Sequence, residues 1–264
     1  MIYQGWRNSF PPMGVDFTVN RNSMQAQGLV AWWPSLDSSG MTVMRGRVGA
    51  EGNGILSASN PTWATDSQRG QVLSFSGAAG TVTLSATNVN ALFNPLAFSI
   101  FMEIRLLGST WEGNYFILEV DGDNFITLSS LGGLPRFRFK AGGTFDAYAY
   151  TPPAGAWHWA GMVLDKSNNA VYCYWNGNLV RTLGYSGTWA GNFTLTYLGS
   201  TSVNAAISEL RLHKTLVPVS VIKQMYYPAT RWELYTPAQR YWPVYVAQTM
   251  SMKAFMLYQR TRRT

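Results

Sequence analysis

The sequence has a single cysteine, Cys173, so it can form no intramolecular disulfide and its stability has to come from packing or assembly. Charge is also scarce: Asp, Glu, Lys and Arg make up 12% of the 264 residues, about half the usual share. The histidines are His158 and His213, and no zinc-ligand spacing, glycine-rich phosphate loop or dinucleotide motif accompanies them. No segment approaches the roughly 20 apolar residues of a membrane helix, and MIYQGWRNSFPPMG lacks the apolar run of a signal peptide. These absences lead to the expectation of a soluble chain in a reducing compartment, with no cofactor and no membrane partner.

What is abundant is aromatic and turn-forming. Phe, Trp and Tyr reach 14% beside 25 glycines, a composition suited to pleated strands and frequent turns, and the fold class expected is all-β. GLVAWWPSL reads as a strand closed by Pro34, and QVLSFSG and TVTLSA as two short strands. In LAFSIFMEIRL the alternation puts Phe98, Ile100, Met102 and Ile104 on one face. PRFRFKAG sets Phe137 and Phe139 against a basic face of Arg136, Arg138 and Lys140. WHWAGMVLD, NAVYCYW, NLVRTLGY and FTLTYLGS continue the series, and so many short strands with regular turns mean a sandwich or barrel. The helical pattern is confined to Val219, Ile222, Met225 and Tyr226, between Pro218 and Pro228.

The net charge of +7 is uneven. Residues 1–222 carry 13 basic and 12 acidic side chains, and residues 223–264 carry seven basic and one acidic. A basic end such as QRTRRT can touch phosphates, but four spread arginines do not make a nucleic-acid site, and nucleic acid is not an expected partner. Residues 1–27 and 229–264 both carry large apolar side chains without a strand or helix period, and they read as extended arms.

The order GLVAWWPSLDSSG, NPTWATDSQRGQVLSFSG, LAFSIFMEIRL, WHWAGMVLDKSNNAVYCYWNGNLV and NAAISELRLHKTLVPVSVIKQMY resembles the laminin-G-like branch of the concanavalin A-like lectin/glucanase superfamily, over about residues 28 to 227. The resemblance implies a jelly-roll sandwich of two antiparallel sheets, here with one short C-terminal helix and extended arms. The implied division is an arm over residues 1–27, a sandwich over 28–215, and a helix with a second arm over 216–264. FTVNRNS ahead of GLVAWW and the tail RWELYTPAQRYWPVY resemble proteins of tailed bacteriophage particles. That implies a non-enzymatic virion protein assembled in the host cytoplasm, a capsid decoration, minor capsid or tail-associated part, whose partners are other virion proteins and copies of itself. Its expected assembly contacts are Trp6, Phe10, Phe17, Trp232, Tyr235, Tyr241, Trp242 and Tyr245. The alternative is an adhesin domain on a fibre or spike that binds a host-surface glycan.

Glucanase relatives place catalytic carboxylates at alternate strand positions, and the nearest imitation here is Glu119-Val120-Asp121-Gly122-Asp123. Its D-G step reads as a turn, so no catalytic residue is expected. Asp121 and Asp123 are the candidate calcium ligands, since calcium takes six to eight hard oxygens. Trp111, Tyr115, Phe145, Tyr148 and Tyr150 lie in or near loops, and of these Trp111, Tyr115, Tyr148 and Tyr150 are the candidate sugar-stacking rings.

The stretch VYCYWNGNLV at residues 171–180 holds the one thiol. It admits three readings: nucleophile, sugar platform, or two strands joined at Asn176-Gly177, a pair that supplies the positive backbone angles of a two-residue turn. Cys173 has no histidine at a telling spacing and no basic neighbour before Arg181, which favours the hairpin with an unreactive thiol. Slow or absent labelling of the native protein by a thiol reagent is expected, and labelling as fast as that of a free thiol would restore the nucleophile.

Overall fold

Two antiparallel sheets form the body of the protein in a computed structural model that describes residues 17–36, 42–57, 61–78, 80–200 and 202–237. In chain order the strands are β1 (Phe17–Val19), β2 (Leu29–Pro34), β3 (Val43–Met44), β4 (Gly54–Leu56), β5 (Thr62–Asp66) and β6 (Gly70–Ser76). They continue as β7 (Val82–Thr83), β8 (Ala97–Leu106), β9 (Asn114–Asp121), β10 (Asn124–Leu131), β11 (Leu134–Ala141) and β12 (Thr144–Ala149). The last six are β13 (Trp157–Asp165), β14 (Ala170–Trp175), β15 (Asn178–Gly184), β16 (Leu195–Leu198), β17 (Asn204–His213) and β18 (Tyr235–Pro237). The first sheet has the order β12-β11-β10-β9-β16-β7-β4-β3. In the second the order is β15-β14-β13-β8-β17-β6-β5, with β2 also paired to β17. This is the concanavalin A-like jelly roll expected.

Period-two alternation builds the core. Phe98, Ile100, Met102 and Ile104 of β8 meet Phe137 and Phe139 of β11 in one large buried cluster between the sheets, as the pattern predicts. Cys173 lies in the same cluster, with no exposure. Burial pushes its thiol pKa up, away from the thiolate that reacts. The β14–β15 hairpin turns at Asn176 and Gly177, with φ of 52° and 78°, the pair of positive angles that a type I′ turn requires. Gly161 of β13 is needed for a different reason: a Cβ there would come within 2.2 Å of the Phe101 ring packed against it.

Two helices occur among the described residues, one more than the sequence led us to expect. α1 (Ala86–Leu92) is too short to show a period, and it is started by the Ser85 side chain accepting from the Asn88 N–H. α2 (Val219–Tyr226) is the expected one, running from Pro218 to Tyr227. It lays Val221, Ile222 and Met225 on Phe101, Trp159, Val163 and Tyr174, which belong to the outer face of the second sheet.

The terminal segments cover the rest of that outer face, which corrects the reading of them as free arms. β1 pairs with β18, joining Phe17 to Pro237 and Val19 to Tyr235. Phe17, Trp232 and Tyr235, expected to dock on neighbouring subunits, pack with Leu29, Trp32 and Leu234 inside this chain. Phe17 and Tyr235 each stack against Trp32, at 5.6 and 4.7 Å. The two segments lack a period because each contributes one or two side chains to a shared patch rather than a face of its own. Trp6, Phe10, Tyr241, Trp242 and Tyr245 lie outside the described residues.

Phe17 is therefore a stabilising residue: Phe17→Ala is expected to cost about 3 to 5 kcal/mol in denaturant unfolding. A change within about 0.5 kcal/mol, typical of surface positions, would return it to the role of an external contact.

Candidate functional site

With α2 and the terminal segments packed on the second sheet, the outward face of the first sheet is the other strand face, buried at Ile117, Phe125, Thr127 and Ser129 and exposed at Phe145 and Leu195. Its outward positions follow from register. Arg136, Arg138 and Lys140 of β11 alternate with the core residues Phe137 and Phe139. Across β10 they pair with Ser129, Thr127 and Phe125. Across β9 and β16 the same face continues through Ile117, Glu119, Tyr197 and Leu195. On the other side, Phe145 of β12 stands opposite Lys140.

At the β10–β12 end this face combines an exposed ring with basic groups. Phe145 is 48% exposed and lies 6.0 Å from Phe125 between ring centres. The Arg138 guanidinium sits 5.1 Å over Phe125 and 5.6 Å over Phe145, held by the ring quadrupoles. Burial and the like charge of Arg136 lower the Arg138 pKa, and a ligand oxygen accepting from either guanidinium would relieve that crowding. Beside them Ser129 Oγ and Arg136 Nε, a register pair, are buried with no hydrogen-bond partner. An exposed ring flanked by planar donors can stack on one face of a sugar and bond its hydroxyls.

The expected stacking rings are distributed differently. Trp111 and Tyr115 are buried, at 3% and 0% exposure, and so are unavailable as platforms. They were read as loop residues because they flank the glycine-rich turn before β9, but they close one end of the sandwich. There Trp111 packs on Tyr115, His158 and Trp175 at 5.2, 6.4 and 5.9 Å. Tyr150 is half-buried against Trp175, and Tyr148 is half-buried beneath Arg181. Of the loop aromatics, Phe145 is the one left open. His158 serves the same end wall, with Nε2 bonded to the Pro153 carbonyl and Nδ1 accepting from Asn176 Nδ2. Burial lowers its pKa.

The calcium candidates close a turn instead. Asp121 Oδ1 accepts from the Asp123 and Asn124 N–H groups at 2.8 and 3.0 Å, which lowers the Asp121 pKa. Asp123 pairs with Lys140 Nζ at 2.7 Å. One oxygen of each carboxylate is thus engaged, Asp121 Oδ1 by backbone amides and Asp123 Oδ1 by the Lys140 ammonium. No group of three His, Cys, Asp or Glu side chains converges among the described residues.

A carboxylate pair that the sequence did not reveal lies on the other sheet. Glu103 of β8 and Glu209 of β17 are direct register partners, and carboxylates at such a spacing suit retaining glycoside hydrolysis. Both are buried and clasped. Arg69 Nε donates to Glu103 Oε1 at 2.8 Å and Arg231 Nη2 donates to the same oxygen. Arg211 binds Glu209 through Nε and Nη2, and Trp32 Nε1 adds a third donor at 2.6 Å. Gln25, in the segment after β1, caps Arg211 through Oε1. Arranged this way the acids are buried in structural ion pairs. His213 completes the row: its Nδ1 donates to the Gln27 carbonyl while Nε2 is buried without a partner. Burial lowers its pKa to about 3.

A family model described as the concanavalin A-like lectin/glucanases superfamily matches residues 76–222 of the 264. No curated protein matches the sequence. Among solved structures, domain 4 of AbnA, an extracellular arabinanase from Geobacillus stearothermophilus in complex with arabinotriose, is 16% identical with a TM-score of 0.56, covering 75% of this chain and 98% of that domain. The binding domain of botulinum neurotoxin DC in complex with SialylT is 14% identical with a TM-score of 0.59, and its complex with rat synaptotagmin II is 15% identical with a TM-score of 0.58. Each covers 77% of this chain, which spans only 52% of those binding domains. At these identities the similarity is one of fold.

The buried histidine makes stability pH-dependent. The unfolded chain takes up a proton on His213 near pH 6.5 and the folded chain only near 3, so stability falls as pH drops through that interval. The loss expected between pH 6.5 and 5 is about 2 kcal/mol. Urea midpoints should fall over this range in the wild type and much less in His213→Gln; equal slopes would mean that His213 does not carry the effect.

Proposed function

The chain belongs to the concanavalin A-like lectin/glucanase superfamily, and we propose that it is a non-catalytic recognition module that binds a glycan on the outward face of its first sheet. The observation that carries this reading is the exposed Phe145 ring under the Arg138 guanidinium, with Arg136 at the next outward position of the same strand. Two fold neighbours favour it, a domain in complex with arabinotriose and a toxin binding domain in complex with SialylT. The clasped state of Glu103 and Glu209 favours binding over hydrolysis, because a general acid needs access to its substrate.

The phage setting enters here as the adhesin form, with the module carried on the virion and directed at a host-surface glycan. A purely structural role in the particle is the second reading. It rests on Tyr241, Trp242, Tyr245 and the basic end of the sequence. It has lost the support of Phe17, Trp232 and Tyr235, whose apolar surface is spent inside the chain.

A glycan array followed by titration of the best ligand tests the proposal. Binding is expected to weaken by at least about fivefold in Phe145→Ala, the loss of one aromatic contact worth about 1 kcal/mol. No binding of any glycan at millimolar concentration, or binding indifferent to Phe145→Ala, would overturn it.

A further inference from the structure

A cleft on the opposite side of the molecule has no part in the Phe145 site. Its volume is about 310 Å³, and Arg69, Arg105, Arg231, Gln68, Trp157 and Tyr226 are among its lining residues. The cleft exists only because the C-terminal segment folds back. Tyr226, Pro228 and Arg231 form one wall and Ser67, Gln68 and Arg69, from the turn between β5 and β6, form another. All six lie outside the stretch matched by the family model.

The three guanidiniums are built in place rather than left loose. Trp157 lies between Arg69 and Arg105, 5.4 and 5.1 Å from its ring centre, and its Nε1 is tied to Asp66 Oδ1 at 3.1 Å. Asp66 Oδ2 binds Arg105 Nη1 at 2.6 Å while Oδ1 also accepts from the Gln68 and Arg69 N–H groups. Glu103 Oε1 holds both Arg69 and Arg231. Three arginines thus share two carboxylates, which leaves one uncompensated positive charge around a partly desolvated cleft. Burial, with a smaller contribution from the neighbouring Arg231, lowers the Arg69 pKa. Each guanidinium has five N–H donors in a planar fork, and the contacts to Glu103, Asp66 and the Gln68 carbonyl engage only part of that set.

We propose that this cleft is a second binding site, which takes an acidic saccharide, its carboxylate or sulfate on the arginine fork and its ring hydroxyls on the Gln68 amide and the Ser67 hydroxyl. The chemistry requires both features in one ligand. The fork selects a planar or tetrahedral oxyanion through charge-assisted bonds. The exposed Gln68 amide and the Ser67 hydroxyl select a polyol beside it. The volume admits a group of about one or two sugar rings, at the small end of ordinary ligand pockets. This site is independent of the reading at Phe145, and either can fail without the other.

Calorimetric titration of the full chain with glucuronic acid, glucose and sodium sulfate decides it. Glucuronic acid is expected to bind and glucose not to, with affinity falling as salt rises. Arg105→Gln is expected to weaken binding at least about tenfold, the loss of one charge-assisted hydrogen bond. Gln68→Glu, on an exposed side chain that bears no weight in the fold, should weaken it similarly by repulsion, which covers the case in which Arg105→Gln destabilises the protein. Phe145→Ala should leave it unchanged. Glucose binding as well as glucuronic acid, sulfate binding as tightly as glucuronic acid, or indifference to Gln68→Glu would each overturn the proposal.

Discussion

The structure depends on covering a row of charges. Glu103 on β8 and Glu209 and Arg211 on β17 sit at outward positions of the second sheet, and each is fully or almost fully buried. Buried carboxylates and guanidiniums are tolerated only when paired and hydrogen-bonded, because stripping their water costs several kcal/mol per ion. The partners come from far away in sequence: Arg69 from the β5–β6 turn, Arg231 from the turn before β18, Gln25 from the segment after β1, and the Trp32 indole from β2. These contacts do not have to make the fold more stable than an apolar core would. They make it specific, since a wrong placement of the terminal segments strands a charge.

This constraint has a topological consequence. Segments 17–27 and 219–237 are drawn onto the second sheet, where they add α2, the β1–β18 pair and the cluster around Trp32. One outer face is thereby used up. The other keeps Phe145 exposed beside Arg138, and the covered side acquires a cleft whose walls are the covering segment and the sheet beneath it. Both candidate sites therefore follow from where the terminal segments pack. The same burial holds His213 neutral, and so links the integrity of the covered face to pH.

Much of the sandwich could be read directly. The Asn176-Gly177 turn, the core face of β8, the split of β11 into Phe137 and Phe139 against a basic face, and the helix between Pro218 and Pro228 are local patterns, and local patterns survive folding. α1 escaped notice because seven residues are too few for a helical period to emerge. Trp111 and Tyr115 looked exposed because glycine and polar residues lie close by, yet Trp111 packs on Trp175 and His158, more than 40 residues later, and Tyr115 packs on Trp111. Asp121 and Asp123 carry the right atoms for a metal, but backbone amides and Lys140 reach them first.

By itself the sequence determined the strands, their turns and the parity of each strand, meaning which residues share a face, since these depend on side chains two or four positions apart. It could not determine which of the two outer faces would be covered. That choice is made by pairings such as Arg231 with Glu103 and Phe17 with Trp32, between residues that no periodicity connects. Only the tertiary structure decided it, because the cost of burying a charge is settled by whichever partner arrives in space, however distant it is along the chain.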